Sequence, residues 1–280
     1  MSTSQSPPIE LAKLQQNAPI GLFDSGFGGL TVMKEIIRLL PNEHLIYLGD
    51  TAHLPYGNKS PETVRYFAQD NASFLVHLGI KLLIIPCHTA CTHALEILQQ
   101  TLPIPVIGVI QPGLNLLTKC RNLAVIGTSS TIKSGVYQSL IQQQFPHIQV
   151  FAQECPLFVP LIEEGLHNHP AARLIAETYL LPLKNRIDSL LLACTHYPLM
   201  RPTLQAVLGE HVQLIEPAQQ CALATHHLLT QLHLLNTTKT IPTYRFFASD
   251  DPSKFCRLGQ HFLELEIESV EKKVASMKPF

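Results

Sequence analysis

The chain has 280 residues, 46% of them hydrophobic and only 15% charged, with a formal net charge of -1. Such a composition buries an ample core, fits one large α/β domain or two of ordinary size, and excludes a disordered chain. No Lys/Arg-rich run is present, which argues against nucleic acid or an anionic membrane surface as the main partner.

Residues 1–19 carry Ser, Gln and Pro without a basic start and a following apolar stretch, and are expected to be a mobile tail rather than a signal peptide. No window approaches the roughly 18 uninterrupted apolar residues of a membrane span, so a soluble, cytoplasmic protein is expected. From residue 20 onward, short apolar runs read as strands at 20–23, 45–48, 82–85, 106–110, 123–126, 149–152, 190–192 and 212–215. Amphipathic segments of helix length lie between them, among them 29–40, 60–77 and 89–100, with Ser60 and Thr89 as candidate caps. This alternation predicts an α/β fold with parallel sheets and helices on both faces. The stretch after about residue 221 reads as largely helical and is expected to pack back on the first half.

A second order overlies the first. Asp24, Asp50, Cys87 and Gln111 follow the first four strands, and Thr128, Glu154, Cys194 and Glu216 follow the next four. The paired positions are 104, 104, 107 and 105 residues apart. This register points to two pseudo-equivalent α/β domains facing each other across a cleft, a favoured place for a ligand. The expected boundaries are 20–112 plus 221–280 for the first domain and 113–220 for the second.

The third and seventh strands each end at a cysteine, in Ile85-Pro86-Cys87-His88-Thr89-Ala90 and Ala193-Cys194-Thr195-His196-Tyr197-Pro198. Open α/β sheets place ligands at the carboxyl ends of their strands. Most cysteines are inert small hydrophobes, but each of these precedes an expected helix start, where the dipole lowers a thiol pKa, and each has a nearby histidine. Two thiols on opposite sides of one substrate suit moving a proton from one face of a carbon to the other, with the carboxylates Asp24 and Glu163 available to orient or activate them. The seven cysteines are odd in number and include no Cys-x-x-Cys pair, so reduced thiols are expected. Cys87, His88, Cys91 and His93 crowd together without a zinc-like spacing, and no metal is expected.

Other motifs are less specific. Asp24-Ser25-Gly26-Phe27-Gly28-Gly29 follows a strand and offers either backbone N–H groups for an anion or only a tight turn. It lacks the dinucleotide spacing, and the chain has no phosphate-binding Gly-Lys-Ser/Thr loop and no Gly-x-Ser-x-Gly elbow. Pro55-Tyr56-Gly57-Asn58-Lys59-Ser60 reads as a rigid turn ending at a helix cap.

Taken together, Phe23 to Val32, Gly49-Asp50 through Pro55-Tyr56-Gly57, Cys87-His88-Thr89-Ala90, Ile126-Gly127-Thr128 with Thr131, Cys155 to Leu161, and Cys194 to Leu199 resemble the glutamate racemases of the aspartate/glutamate racemase superfamily. The likeness runs from about residue 20 to residue 217. It implies cofactor-independent interconversion of L- and D-glutamate by two cysteines, Cys87 acting on the D-enantiomer and Cys194 on the L-enantiomer. Asp24 would assist Cys87, and His196 with Glu163 would assist Cys194. Asp24, Ser25, Tyr56, Gly57, His88, Thr89, Thr195 and His196 match the family's substrate-contacting positions, and Thr128 and Thr131 would help hold a substrate carboxylate.

The resemblance further implies a homodimer and a supply of D-glutamate to peptidoglycan precursors. His88 departs from the family's usual Asn and is expected either to alter substrate binding or, as a cation, to depress the Cys87 pKa. Gln111 stands where Glu is common. The alternatives are a racemase of aspartate or another amino acid, and a weakly catalytic member retained as a protein-binding, gyrase-inhibitor-like factor.

Overall fold

The structure is a computed structural model that describes residues 14–238 and 240–273. Of the expected mobile tail, residues 1–13 lie outside the described residues. Residues 14–19 are tied down: Leu14 packs on the core, the Gln16 side-chain amide donates to the His233 carbonyl at 3.0 Å, and the Gln16 carbonyl accepts from Lys81 Nζ.

The first half places strands β1 (Ile20–Asp24), β2 (Leu45–Gly49), β3 (Leu82–Ile85) and β4 (Val106–Gly108) between helices α1 (Leu30–Leu39), α2 (Pro61–His77), α3 (His88–Thr101) and α4 (Ile110–Leu114). The second half holds β5 (Asn122–Gly127), β6 (Gln149–Glu154), β7 (Ser189–Ala193) and β8 (Gln213–Ile215). Its helices are α5 (Ser129–Lys133), α6 (Val136–Gln144), α7 (Phe158–Glu163), α8 (Pro170–Leu180) and α9 (Arg201–Leu208). The protein is thus α/β, with two separate sheets whose paired strands all run parallel.

Every residue of β1, β2, β3 and β7 is buried, as expected of strands covered on both faces by helices. The order β2-β1-β3-β4 in one sheet is repeated as β6-β5-β7-β8 in the other. The spacing seen in the sequence is therefore a repeated topology, and Cys87 and Cys194 follow corresponding strands.

The stretch after residue 221 is less helical than expected. Between α10 (Ala218–Gln231) and α11 (Pro252–Leu263) it forms β9 (Tyr244–Ala248), and beyond α11 it forms β10 (Glu271–Lys272). β9 pairs with β2 from Tyr244 opposite Leu45 to Ala248 opposite Gly49, extending the first sheet. Only Phe246, Phe247 and Ala248 of this strand are buried, so its apolar run is too short to declare itself in the sequence. The 106–110 strand also ends early, at Gly108, because Ile110 begins α4.

Helix starts follow local chemistry. Ser60 caps α2, its side chain accepting from Thr63 N at 3.3 Å, with Pro61 at the first helical position. The cap of α3 is Cys87 and not Thr89: its sulfur accepts from Ala90 N at 3.5 Å. Thr128 caps α5 by accepting from Thr131 N at 3.4 Å.

Candidate active site

The carboxyl ends of the two sheets face one another across a small, nearly closed cavity lined by residues of both halves. Ser25, Tyr56, Gly57, Cys87, His88 and Thr89 come from the first half, and Thr128, Cys194, Thr195 and His196 from the second. Both thiols are nearly inaccessible, Cys87 at 5% and Cys194 at 7% exposure. The seven cysteines, all among the described residues, are free.

The surroundings of the two thiols differ. Cys87 Sγ lies 3.7 Å from Ser25 Oγ, to which it can donate. Behind Ser25 stands the buried Asp24 carboxylate, which accepts from Ser25 N at 2.6 Å and Ser25 Oγ at 3.2 Å on one oxygen, and from Thr195 Oγ1 at 3.1 Å on the other. Burial, and then the Asp24 charge, push the Cys87 pKa well above the ordinary thiol value, while hydrogen bonds from Ala90 N and Ser25 work in the opposite direction. The dipole at the start of α3 is outweighed here, contrary to the sequence-based expectation.

Cys194 faces a cation instead. His196 Nδ1 lies 3.9 Å from Cys194 Sγ, and His196 Nε2 lies 3.0 Å from Glu163 Oε1 at the end of α7. Burial alone would lower the His196 pKa, but its hydrogen bonds to Cys194 and Glu163 and their negative charges raise it to about 10. At neutral pH the ring is therefore an imidazolium that donates to both groups.

His88 does not act as the expected cation. Its ring is 3% exposed, and burial lowers its pKa to about 3, so it is neutral and cannot draw the Cys87 pKa down. Its Nδ1 lies 2.6 Å from Tyr137 Oη in the second half. A triangle of hydroxyls completes this wall, with Thr89 Oγ1 2.9 Å from Thr128 Oγ1 and 3.1 Å from Thr131 Oγ1, and Thr128 Oγ1 donating to Thr131 Oγ1 at 3.0 Å.

A family model for Asp/Glu/Hydantoin racemase matches residues 20–225. The chain belongs to this family. The glutamate racemase of Geobacter metallireducens is 48% identical over 248 residues, covering 87% of this chain and 92% of that protein. The glutamate racemase of Francisella tularensis, solved in complex with D-glutamate, superposes with a TM-score of 0.88 at 41% identity, covering 92% of this chain and 98% of that one. The glutamate racemase structure from Bacillus anthracis gives a TM-score of 0.89 at 36% identity, covering 94% and 100%. These relatives are isomerases that interconvert L- and D-glutamate.

In this family member the thirteen residues expected at the site, catalytic and substrate-binding together, fall into two layers. Ten line the cavity, whereas Asp24, Glu163 and Thr131 stand behind Ser25, His196 and the Thr89–Thr128 pair respectively. Tyr56 lines the cavity and its hydroxyl donates to Asp50 Oδ2 at 2.5 Å. Asp50 also accepts from Asn71 Nδ2 at 3.2 Å and Ser249 Oγ at 2.7 Å, and lies 2.8 Å from His53 Nδ1. This network anchors the Tyr56-Gly57 turn from below.

Sequence reasoning singled out neither Asn71, Ser249 and Tyr137 nor the cavity-lining Pro55, Val159 and Ala193 as site residues. Pro55, Val159 and Ala193 lie within quoted motifs and could have been included. Asn71, Ser249 and Tyr137 sit on distant elements with no local signature. Gly28 has a use beyond the turn: a Cβ there would lie 2.3 Å from Thr195 Oγ1 and 2.5 Å from His196 Nδ1. Among the described residues no three of His, Cys, Asp and Glu converge as metal ligands would, and no helix is long and apolar enough to cross a membrane.

Proposed function

We propose that this protein interconverts L- and D-glutamate without a cofactor, using Cys87 and Cys194 as the two proton-transfer groups. The observation that carries this reading is the pair of thiols, one from each half, on the walls of a single small cavity. The D-glutamate complex of the Francisella tularensis relative supports glutamate as the substrate.

Starting from L-glutamate, Cys194 as thiolate takes the α-proton, and the Cys87 thiol delivers its own proton to the opposite face. The product is D-glutamate, and the negative charge has moved from Cys194 to Cys87. The reverse reaction resets the enzyme. His196, held by Glu163, supplies the counter-charge for the Cys194 thiolate. Asp24 positions Ser25 and Thr195, one from each half, at the wall of the substrate space. The carbanion-like transition state is stabilised by preorganised N–H and hydroxyl donors on the substrate carboxylates and by exclusion of water between the two closed halves. We further read the protein as a cytoplasmic homodimer whose D-glutamate enters peptidoglycan precursors.

The test is proton NMR of L-glutamate in D2O with purified protein and no added cofactor, followed in parallel by circular dichroism. Loss of the α-proton signal and decay of the dichroism to zero are expected. Cys87→Ser and Cys194→Ser should each lower kcat by about 1000-fold or more, as loss of a general acid or base does. Response to aspartate alone would overturn the substrate, and full activity of either variant would overturn the two-thiol mechanism.

A further inference from the structure

His88 is the cavity residue whose chemistry the reaction above does not use, and its partner comes from the other half of the molecule. Tyr137, on α6, is 1% exposed, and its ring stacks obliquely on His88 with centroids 6.0 Å apart. Its hydroxyl proton needs an acceptor, because a buried O–H without one is unfavourable. Among the described residues the only hydrogen bond of Tyr137 Oη is the one to His88 Nδ1, at 2.6 Å. The phenol therefore donates and Nδ1 accepts.

A neutral imidazole has one donor and one acceptor nitrogen, so accepting at Nδ1 leaves the proton on Nε2. Burial keeps the ring neutral. His88 Nε2 makes no hydrogen bond among the described residues, and the side chain lines the cavity together with both thiols. A donor without a protein partner has been placed at a site that takes an anion. The opposite tautomer would turn a lone pair toward that anion and repel it.

We propose that Tyr137 is a positioning residue that holds His88 as its Nε2–H tautomer, so that His88 offers a neutral hydrogen-bond donor to a carboxylate of the amino-acid substrate. The inference rests on the reading of the cavity as a glutamate site. A neutral donor binds the carboxylate without placing a cation beside Cys87, which must act as a thiol in one direction. An asparagine at 88 would have no tautomer to choose, since its amide already carries both donor and acceptor. Tyr137 would then have no such task.

The experiment combines nitrogen NMR of histidine-labelled protein with steady-state kinetics. The His88 signals, assigned by their loss in His88→Asn, should show protonated Nε2 and unprotonated Nδ1 in the resting enzyme. Tyr137→Phe should mix the two tautomers and raise KM for both glutamate enantiomers about tenfold, the scale of one hydrogen bond to a charged group, with kcat changed far less. In the His88→Asn background the same Tyr137→Phe change should leave KM nearly unmoved. Protonated Nδ1 in the wild type, or an equal rise of KM in both backgrounds, overturns the proposal. A wild type that binds and turns over no glutamate overturns the functional reading and the substrate role of His88 with it. An active wild type with the wrong tautomer overturns this inference alone.

Discussion

With one ring nitrogen on Cys194 Sγ and the other on Glu163 Oε1, His196 stays protonated through neutral pH. The fold makes the two thiols equivalent, but their charged neighbours make them unequal: an imidazolium faces Cys194, and a carboxylate lies behind Cys87. Activity that needs the imidazolium is present below a pH of about 10 and lost as the pH rises through it. Glu163→Gln removes one of the groups that raise the His196 pKa, so the alkaline limb of kcat/KM should move to lower pH. A pH profile of kcat/KM for L-glutamate checks this, and an unmoved limb would remove Glu163 from the role given to it. The neutral state of His88 and the hydroxyl of Tyr137 belong to the same scale, where burial and one hydrogen-bond partner decide a charge or a tautomer.

At the scale of elements, the C-terminal segment is bound to the first half by both sheet and side chain. β9 extends the first sheet beside β2, and α10 and α11 pack on α1. Where the chain leaves α10, the fully buried Lys81 ammonium donates to the Leu234 carbonyl at 2.8 Å and pairs with Glu43 Oε2 at 2.6 Å. Glu43 Oε1 in turn accepts from Asn236 N at 2.8 Å. Lys81→Met keeps the volume but leaves Glu43 as an uncompensated buried charge, a change that destabilises by about 3–5 kcal/mol. Thermal unfolding should show a fall in Tm of many degrees. A Tm close to the wild type would mean that water reaches Glu43 and that this junction is looser than its hydrogen bonds indicate. The α11 helix also reaches the site, since Phe262 packs edge-on against His196 with ring centroids 5.3 Å apart.

The whole molecule works as two halves closed on one small space, and Gly28 marks how closely they meet. A methyl group at 28 would press on the Thr195 hydroxyl, held by Asp24, and on the His196 ring, held by Glu163. Neither side chain can retreat without losing a buried bond. Gly28→Ala should therefore hold the halves apart and lower kcat/KM roughly 100-fold, the scale of a misplacement of about 1 Å. The circular dichroism of the two sheets should stay unchanged. Full activity would show that the halves have slack at this point.

Much of this arrangement could be read from the sequence, because it is encoded locally. Continuous apolar runs such as Leu82 to Ile85 and Leu190 to Leu192 mark buried parallel strands, and the residue that ends such a run lies at the ligand-binding edge of a sheet. The repeat spacing alone makes Cys87 and Cys194 counterparts. What lies between the halves was not readable in that way. Tyr137, Asn71 and Ser249 approach the site from distant elements, and no spacing along the chain records such a meeting. β9 went unseen because only three of its residues are buried, and it becomes a strand by pairing with β2. Charge was decided last: a neutral His88, a cationic His196 and a raised Cys87 pKa depend on desolvation and on partners brought together by folding. The sequence by itself determined the strands, their repetition and the thiols at their ends, since those follow from local pattern. Only the tertiary structure decided protonation, tautomer and closeness of approach, since those depend on what surrounds each group once water is excluded.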